Sequence, residues 1–211
     1  MLGDKDAISA DAKAGALLFY QSAKDGGANC ASCHGGDFFT DELFHVLAVP
    51  QVGPGKEGEY DEFADYGRFR ETKHRDDLYA FRTPSLLNVE VTGPYGHSGA
   101  YATLEGIVRH HLNPADAIEN YDFSQLAPDV QQAHMAEKTE AALWQLEGQR
   151  ARDMFVIQDV VLADQEVEQL VSFLQTLTDP CVTDAVCLAP WMPSKDEPDP
   201  DGQRLQAVVL E

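Results

Sequence analysis

Two cysteines and a histidine lie close together near the start of the chain, in the segment Cys30-Ala-Ser-Cys33-His34. Three kinds of chemistry use this spacing: a redox-active dithiol, half of a zinc site, and the covalent attachment of haem c. A thioredoxin-type dithiol needs a βαβ context, whereas the residues before Cys30 predict a short helix. A zinc site needs two further ligands, and the sequence has neither a second CxxC nor an HxxxH motif. Haem attachment therefore explains the motif best, with thioethers from both cysteines and the His34 imidazole on the iron.

A second axial ligand for the iron is available in residues 101–114. Thr103 can cap a helix that ends before Pro114. One face of this helix carries residues at i, i+3, i+4 and i+7: Leu104, Ile107, Val108 and His111. His110 is turned by about 100° from that face, so we expect it to point to solvent or to the edge of the face. The pattern predicts His111 as the second ligand; the alternative is a core histidine bonded to a carbonyl.

The other candidate ligands are methionines, namely Met135, Met154 and Met192. Met135 lies in a strongly polar stretch, so we expect it in ordinary helix packing or at the surface. Trp144 lies well inside a predicted helix, so we do not assign it as an electron relay.

Cys181 and Cys187 form a second pair, in a stretch with two prolines and no neighbouring histidine. A short disulfide is the simplest interpretation, and it implies an oxidising compartment. Haem c is also attached outside the bacterial cytoplasm. Both cysteine pairs therefore predict a periplasmic or otherwise extracytoplasmic location.

The chain has 211 residues, of which 36 are Asp or Glu and 15 are Lys or Arg, giving a net charge of −21. Such a surface repels phosphate backbones and attracts basic partners, so nucleic-acid binding is disfavoured. No apolar run approaches the roughly 20 residues that span a bilayer. The first six residues lack the order of a signal peptide, so we expect either a cytoplasmic chain or a piece of a longer one.

The elements around these residues are mostly helices. Ser9 can cap a helix before the CxxCH motif, and Asp164 can cap a closing helix with an apolar stripe. No strand pattern appears. The predicted fold is mainly α, a cytochrome c-like haem domain with long loops. It covers residues 1–180 with a helical insertion at 113–160, followed by a disulfide-stapled Pro/Asp-rich tail at 181–211.

Several longer segments resemble the C-terminal, electron-transfer haem domain of bacterial di-haem cytochrome c peroxidases, a family that includes MauG-like relatives. The resemblance covers about residues 9–112 and 160–178. The matching segments are, in order, LLFY before CASCH, FTDELFHVLAVP, DYGRF, AFRTPSLLNVEVTGPYGHSGAYATLEGIVRHHL and LADQEVEQLVSFLQTLT. The stretch FRTPSLLNVEVTGPYGHSG is far more specific than CxxCH alone.

The resemblance implies one covalent haem c on Cys30 and Cys33, with His34 as the proximal ligand of the iron. The family's distal ligand falls at His111, where relatives carry Met or Tyr. An imidazole in place of a thioether should lower the reduction potential.

The resemblance also implies a calcium ion between two haem domains, bound partly by backbone carbonyls at Thr92 and Pro94. Four further side chains have less specific expected roles. His45 is expected in packing or beside a haem propionate, Arg68 and Arg82 either neutralise propionates or are solvated, and His97 forms a supporting hydrogen bond in a turn.

In the family, electrons from a small donor protein enter at the C-terminal haem and pass to a first-domain haem that reduces hydrogen peroxide. This sequence has one CxxCH motif and only 29 residues before Cys30, too few for that first domain. We therefore expect the electron-transfer part of a peroxidase-type oxidoreductase. The alternatives are a stand-alone mono-haem electron carrier, or a peroxidase in its own right if His111 leaves the iron on reduction.

Overall fold

The structure is a computed structural model, and it describes residues 4–53, 64–127, 130, 134–154 and 156–193. The chain divides into two compact units, Met1–Thr178 and Asp179–Glu211. The helices are α1 (Ala10–Tyr20), α2 (Phe69–Thr72), α3 (Leu104–Leu112), α4 (Pro114–Glu119), α5 (Met135–Ala151), α6 (Asp164–Gln175) and α7 (Ala185–Leu188). The strands are β1 (Phe44–Val46) and β2 (Ala80–Arg82), and short 3₁₀ turns link many of these elements.

Helices α1 and α6 pack directly against each other in the first unit. The Ser9 hydroxyl accepts a hydrogen bond from the Ala12 amide at 3.1 Å, as an N-cap does. Helix α6 begins one residue earlier than a cap at Asp164 would place it, with Ala163 as the N-cap, and the Glu166 carboxylate accepts from the Ala163 amide at 2.8 Å. The absence of a side chain at Gly15 lets the two backbones approach closely.

The interface between α1 and α6 is aromatic and aliphatic. Phe19 and Leu170 are each 1% exposed, and Phe173 lies 5.1 Å from Phe19 between ring centroids. The neighbouring Tyr20 is 55% exposed. After α1 the chain turns back on the helix, with the Ala28 amide donating to the Leu18 carbonyl at 2.8 Å. This return places the CxxCH motif against the interface.

A small antiparallel sheet forms where no strand pattern was visible, so that expectation was wrong. Strand β1 pairs with β2 in the register His45 opposite Phe81. Three-residue strands are too short to show an alternating pattern, and their pairing joins residues far apart in sequence. The fully buried Leu146 of α5 packs in the same core cluster as the sheet residues Val46 and Ala80.

Helix α3 begins and ends where the sequence predicted. The Thr103 hydroxyl accepts from the Gly106 amide at 3.0 Å, which caps the first turn. Asn113 ends α3 and its side chain caps α4, accepting from the Asp116 amide at 3.1 Å, with Pro114 in the first position of α4. Helix α3 therefore presents His110 and His111 in its last turn.

The second unit contains a 3₁₀ turn, Pro180–Thr183, and helix α7. A disulfide joins Cys181 to Cys187. The predicted Pro/Asp-rich tail lies outside the described residues from position 194 onward. Within the described part of the chain, no helix combines the length and the apolar character needed to cross a membrane.

Candidate functional site

The imidazoles of His34 and His111 lie close together in the first unit. Their ring centroids lie 6.4 Å apart and their planes are inclined by 58°. His34 follows the 3₁₀ turn of the CxxCH motif, where its amide donates to the Cys30 carbonyl at 2.9 Å. His111 comes from the last turn of α3. The fold thus brings together two of the residues that the sequence singled out.

Each of these imidazoles is held by a backbone carbonyl at Nδ1. Nδ1 of His34 lies 3.1 Å from the Phe39 carbonyl oxygen, and Nδ1 of His111 lies 2.8 Å from the Ile107 carbonyl oxygen. A carbonyl only accepts, so each Nδ1 carries the proton and donates it. The lone pair then resides on Nε2 of both rings. Metal-bound histidines in proteins are oriented in this way by their other ring nitrogen.

Both imidazoles are uncharged at neutral pH. Burial, followed by repulsion from His111, lowers the pKa of His34 to about 4. Burial also lowers the pKa of His111. A neutral imidazole is the form that binds a metal ion, so neither ring has to lose a proton before it can act as a ligand.

The thiols of Cys30 and Cys33 are free and half-buried. Burial raises the pKa of the Cys30 thiol to about 12. A dithiol that exchanges with disulfides needs a lowered thiol pKa, so this environment argues against a thioredoxin-type redox pair.

Apolar side chains pack around Cys30, in the segment that leads to His34. The α1–α6 cluster includes buried residues and the half-buried side chains that border them: Phe19, Val89, Leu170, Phe173 and Leu174, with Cys30, Ala31, Phe39, Leu86, Leu104 and Val108. Such a wall suits a flat, largely apolar ligand better than a hydrated ion.

The residues fit a haem c group. Two imidazoles on opposite sides of one metal ion, each nitrogen about 2 Å from the metal, have ring centroids roughly 6 Å apart. The observed separation of His34 and His111 is 6.4 Å, and both lone pairs are on Nε2. The two thiols needed for covalent attachment precede His34 in the chain.

A second group of donors lies beside Cys33. The ligand atoms of Cys33, Asp41 and His45 are all within 4.8 Å of one another. Nε2 of His45 lies 2.8 Å from an Asp41 carboxylate oxygen. The Cys33 thiol, then Asp41, raise the pKa of His45 to about 9 despite its burial.

Asp41 and His45 are two potential zinc ligands that the sequence pattern did not reveal. Asp41 and His45 are not on a helix, so their spacing carries no signal for a shared ligand site. A thioether at Cys33 would remove the thiolate from the group. Haem attachment and metal binding at Cys33, Asp41 and His45 therefore exclude each other.

Other predicted site residues have partners of their own. The Arg68 guanidinium lies 4.5 Å from the centroid of the Phe44 ring. Arg82 is 3.7 Å from Glu42, in an exposed ion pair of little energetic weight. Nε2 of His97 donates to an Asp65 carboxylate oxygen at 2.7 Å, as expected for a supporting hydrogen bond in a turn.

One expectation about a helix face was wrong. His110 is not turned to solvent but is 0% exposed. Contacts outside the helix decide its burial, and local periodicity does not report them. Met135 is 4% exposed at the start of α5, in the ordinary helix packing that was one of the two expected outcomes. Trp144 is 71% exposed on the same helix as Met135.

The predicted calcium site lies where a 3₁₀ turn ends. Thr92 follows the turn Val89–Val91, and its hydroxyl donates to the Val89 carbonyl at 3.1 Å. This bond engages the side chain of Thr92 and not its carbonyl. The carbonyls of Thr92 and Pro94 as calcium ligands stay a prediction.

Comparison with models of known protein families gives no match. Among curated proteins, the cytochrome-c peroxidase IdrP1 of Denitromonas iodatirespirans is 36% identical, over 50% of this chain and 32% of its own length. The methylamine utilization protein MauG of Methylophilus methylotrophus is 32% identical, over 67% of this chain and 37% of its own length. The chain thus spans about a third of the length of these relatives.

A solved structure described as a MauG-like protein associated with microbial copper homeostasis shares the fold. Its TM-score is 0.60 at 23% identity, and the match covers 87% of this chain and 52% of that one. The mainly α fold class predicted from the sequence is confirmed.

Proposed function

The chain belongs to the family of bacterial di-haem cytochrome c peroxidases and MauG, and from this we propose that it is the haem c electron-transfer part of a peroxidase-type oxidoreductase. One observation carries the proposal. The ring centroids of His34 and His111 lie 6.4 Å apart, and Nδ1 of each ring is held by a backbone carbonyl.

Four residues would hold the haem. Cys30 and Cys33 would form the thioethers, and His34 and His111 would bind the iron from opposite sides. A bound haem would supply reversible storage of one electron. The carbonyls of Phe39 and Ile107 keep both ligands in the required tautomer.

Two histidine ligands would leave a haem iron no open position for peroxide. The domain would therefore relay electrons and leave peroxide chemistry to another site. We place that site in a second haem domain of the same protein, outside this chain, where hydrogen peroxide would be reduced to water. The span of the chain, about a third of its relatives, is consistent with this division.

The charge of the chain suggests the kind of electron donor. A net charge of −21 attracts a small basic redox protein and raises its encounter rate at low ionic strength. The disulfide of the second unit and the chemistry of haem attachment support a periplasmic or otherwise extracytoplasmic location. We also propose calcium binding at the carbonyls of Thr92 and Pro94, as in the family.

The ligand assignment is tested with His111→Ala, using His74→Ala as the control. The side chain of His74 is 69% exposed. Loss of a strong-field imidazole should convert a low-spin ferric haem to high-spin and open the reduced iron to carbon monoxide, whereas His74→Ala should behave as wild type. An unchanged low-spin spectrum in His111→Ala would assign the second ligand to another residue.

The division of labour is tested with the haem-loaded chain and the full-length protein. The chain should accept electrons from a small basic cytochrome but reduce no hydrogen peroxide, and the full-length protein should reduce it. Peroxide turnover by the chain alone would contradict the relay role. A full-length protein with one haem and no turnover would favour the stand-alone carrier.

A further inference from the structure

His110 forms two hydrogen bonds in the interior of the first unit. Its Nε2 lies 2.8 Å from the Leu47 carbonyl oxygen, and its Nδ1 lies 2.8 Å from the Tyr101 hydroxyl. The carbonyl only accepts, so Nε2 donates to it, and Nδ1 then accepts from the hydroxyl of Tyr101. With 0% exposure, the ring has no solvent to replace either partner.

Both partners are fixed to parts of the fold outside α3. Tyr101 is 5% exposed, and its backbone exchanges hydrogen bonds with Tyr95 at 2.7 and 3.0 Å. Leu47 lies between Val46 and Ala48, each of which is 1% exposed. His110 therefore connects the last turn of α3 to two segments outside the helix, the stretch just before α3 and the distant segment at Leu47.

Within the described residues, His111 has no comparable hydrogen bond outside its own helix. Its Nδ1 donates to the Ile107 carbonyl, which belongs to α3. This bond fixes the ring relative to α3 but not α3 relative to His34. Two other bonds attach α3 to later segments: the partly exposed Arg109 guanidinium donates to Asp164 at 2.9 Å, and the Leu112 carbonyl accepts from the Val160 amide at 2.8 Å. The buried His110 ring adds two bonds from the same helical turn as His111.

Consecutive helical residues are separated by about 100° around the axis, so the rotation that seats His110 also sets the direction of His111. Resting on the proposed function, we propose that His110 is a positioning residue for the second haem ligand. By bonding to Leu47 and Tyr101 it fixes the rotation of α3 and holds Nε2 of His111 toward the iron. Outer partners of metal ligands commonly have this effect on affinity.

The test uses the haem-loaded chain with three variants that change the two hydrogen bonds. His110→Phe removes both bonds and keeps an apolar ring of similar size, whereas Tyr101→Phe removes only one. His110→Gln keeps an amide that can donate to the Leu47 carbonyl. Leu146→Ala, at a residue 0% exposed in the α5 cluster, controls for general loss of stability.

The measurements are the high-spin fraction of the ferric haem and the rate of carbon monoxide binding after reduction. We expect His110→Phe to weaken the bond from His111 about tenfold to a hundredfold, with carbon monoxide binding faster by a similar factor. Tyr101→Phe should show a smaller change, His110→Gln should approach wild type, and Leu146→Ala should stay low-spin.

A fully low-spin His110→Phe with the wild-type rate of carbon monoxide binding would overturn the inference. If His110→Phe does not fold, a wild-type spectrum and rate in Tyr101→Phe would overturn it instead. Equal changes in Leu146→Ala would also count against it, because the effect would then be general instability. His111→Ala separates the two proposals: if it stays low-spin, the ligand assignment itself fails. If it becomes high-spin while His110→Phe does not change, only the positioning role fails.

Discussion

The close approach of α1 and α6 at Gly15 makes a quantitative prediction about stability. A Cβ at this position would lie 1.9 Å from the Gln169 carbonyl oxygen and 2.9 Å from the Leu170 amide nitrogen. Both are backbone atoms and cannot rotate away. Gly15→Ala therefore requires the helices to separate by about 1 Å, in an interface that buries Phe19 and Phe173.

Overpacking of this kind costs about 1–3 kcal/mol, and rigid backbone atoms place the cost at the upper end. Replacing a helical glycine with alanine gains about 1 kcal/mol of helix propensity, which offsets part of it. We expect Gly15→Ala to lower the free energy of unfolding by about 2 kcal/mol.

Gly148 provides the matched control, because an added Cβ there meets no atom within 4 Å. Gly148→Ala in α5 should raise the free energy of unfolding by about 1 kcal/mol. Urea unfolding of both variants with the same haem content measures the two changes. If Gly15→Ala is as stable as Gly148→Ala, the described packing of α1 on α6 is wrong.

Two further predictions concern the cysteines. The double variant Cys181→Ser/Cys187→Ser should destabilise the second unit by about 2 kcal/mol in the chain-entropy model, which limited proteolysis measures. Its haem absorbance spectrum should be unchanged. A lost haem spectrum would show that the first unit depends on the disulfide. With both thiols of the CxxCH motif free, NMR titration should give His45 a pKa of about 9, which Cys33→Ala should lower. The pKa of His45 in the folded protein lies above its usual value of 6.5, so protonated His45 stabilises the fold. The free energy of unfolding relative to His45→Gln should therefore be largest below about pH 6.5 and should fall as the pH rises through about 9. An unshifted pKa would contradict the Cys33–Asp41–His45 contact.

Local signals in the sequence located the helices that position the site. Ser9 and Thr103 mark the N-termini of α1 and α3, because a capping side chain acts within three residues of itself. The step of seven residues from Leu104 to His111 follows from helix geometry alone, so the sequence by itself predicts that they share a helix face.

The rest of the site depends on contacts between distant segments. The burial of His110 requires Leu47 and Tyr101, and neither is a neighbour in helical periodicity. The donor group at Cys33, Asp41 and His45 arises from loop conformation, which the spacing of residues does not report. Helix α5 is likewise held by Gln149, whose buried amide donates to the Asp76 carbonyl at 2.7 Å.

The covalent attachment of one haem is the central claim, and mass spectrometry of the chain expressed with a haem maturation system tests it most directly. We expect the intact mass to increase by one haem, with the haem-bearing peptide containing Cys30 and Cys33 and retaining the haem under denaturing conditions. The claim would be contradicted by a chain that carries no tetrapyrrole and instead joins Cys30 to Cys33 in a disulfide, or binds zinc through Cys33, Asp41 and His45.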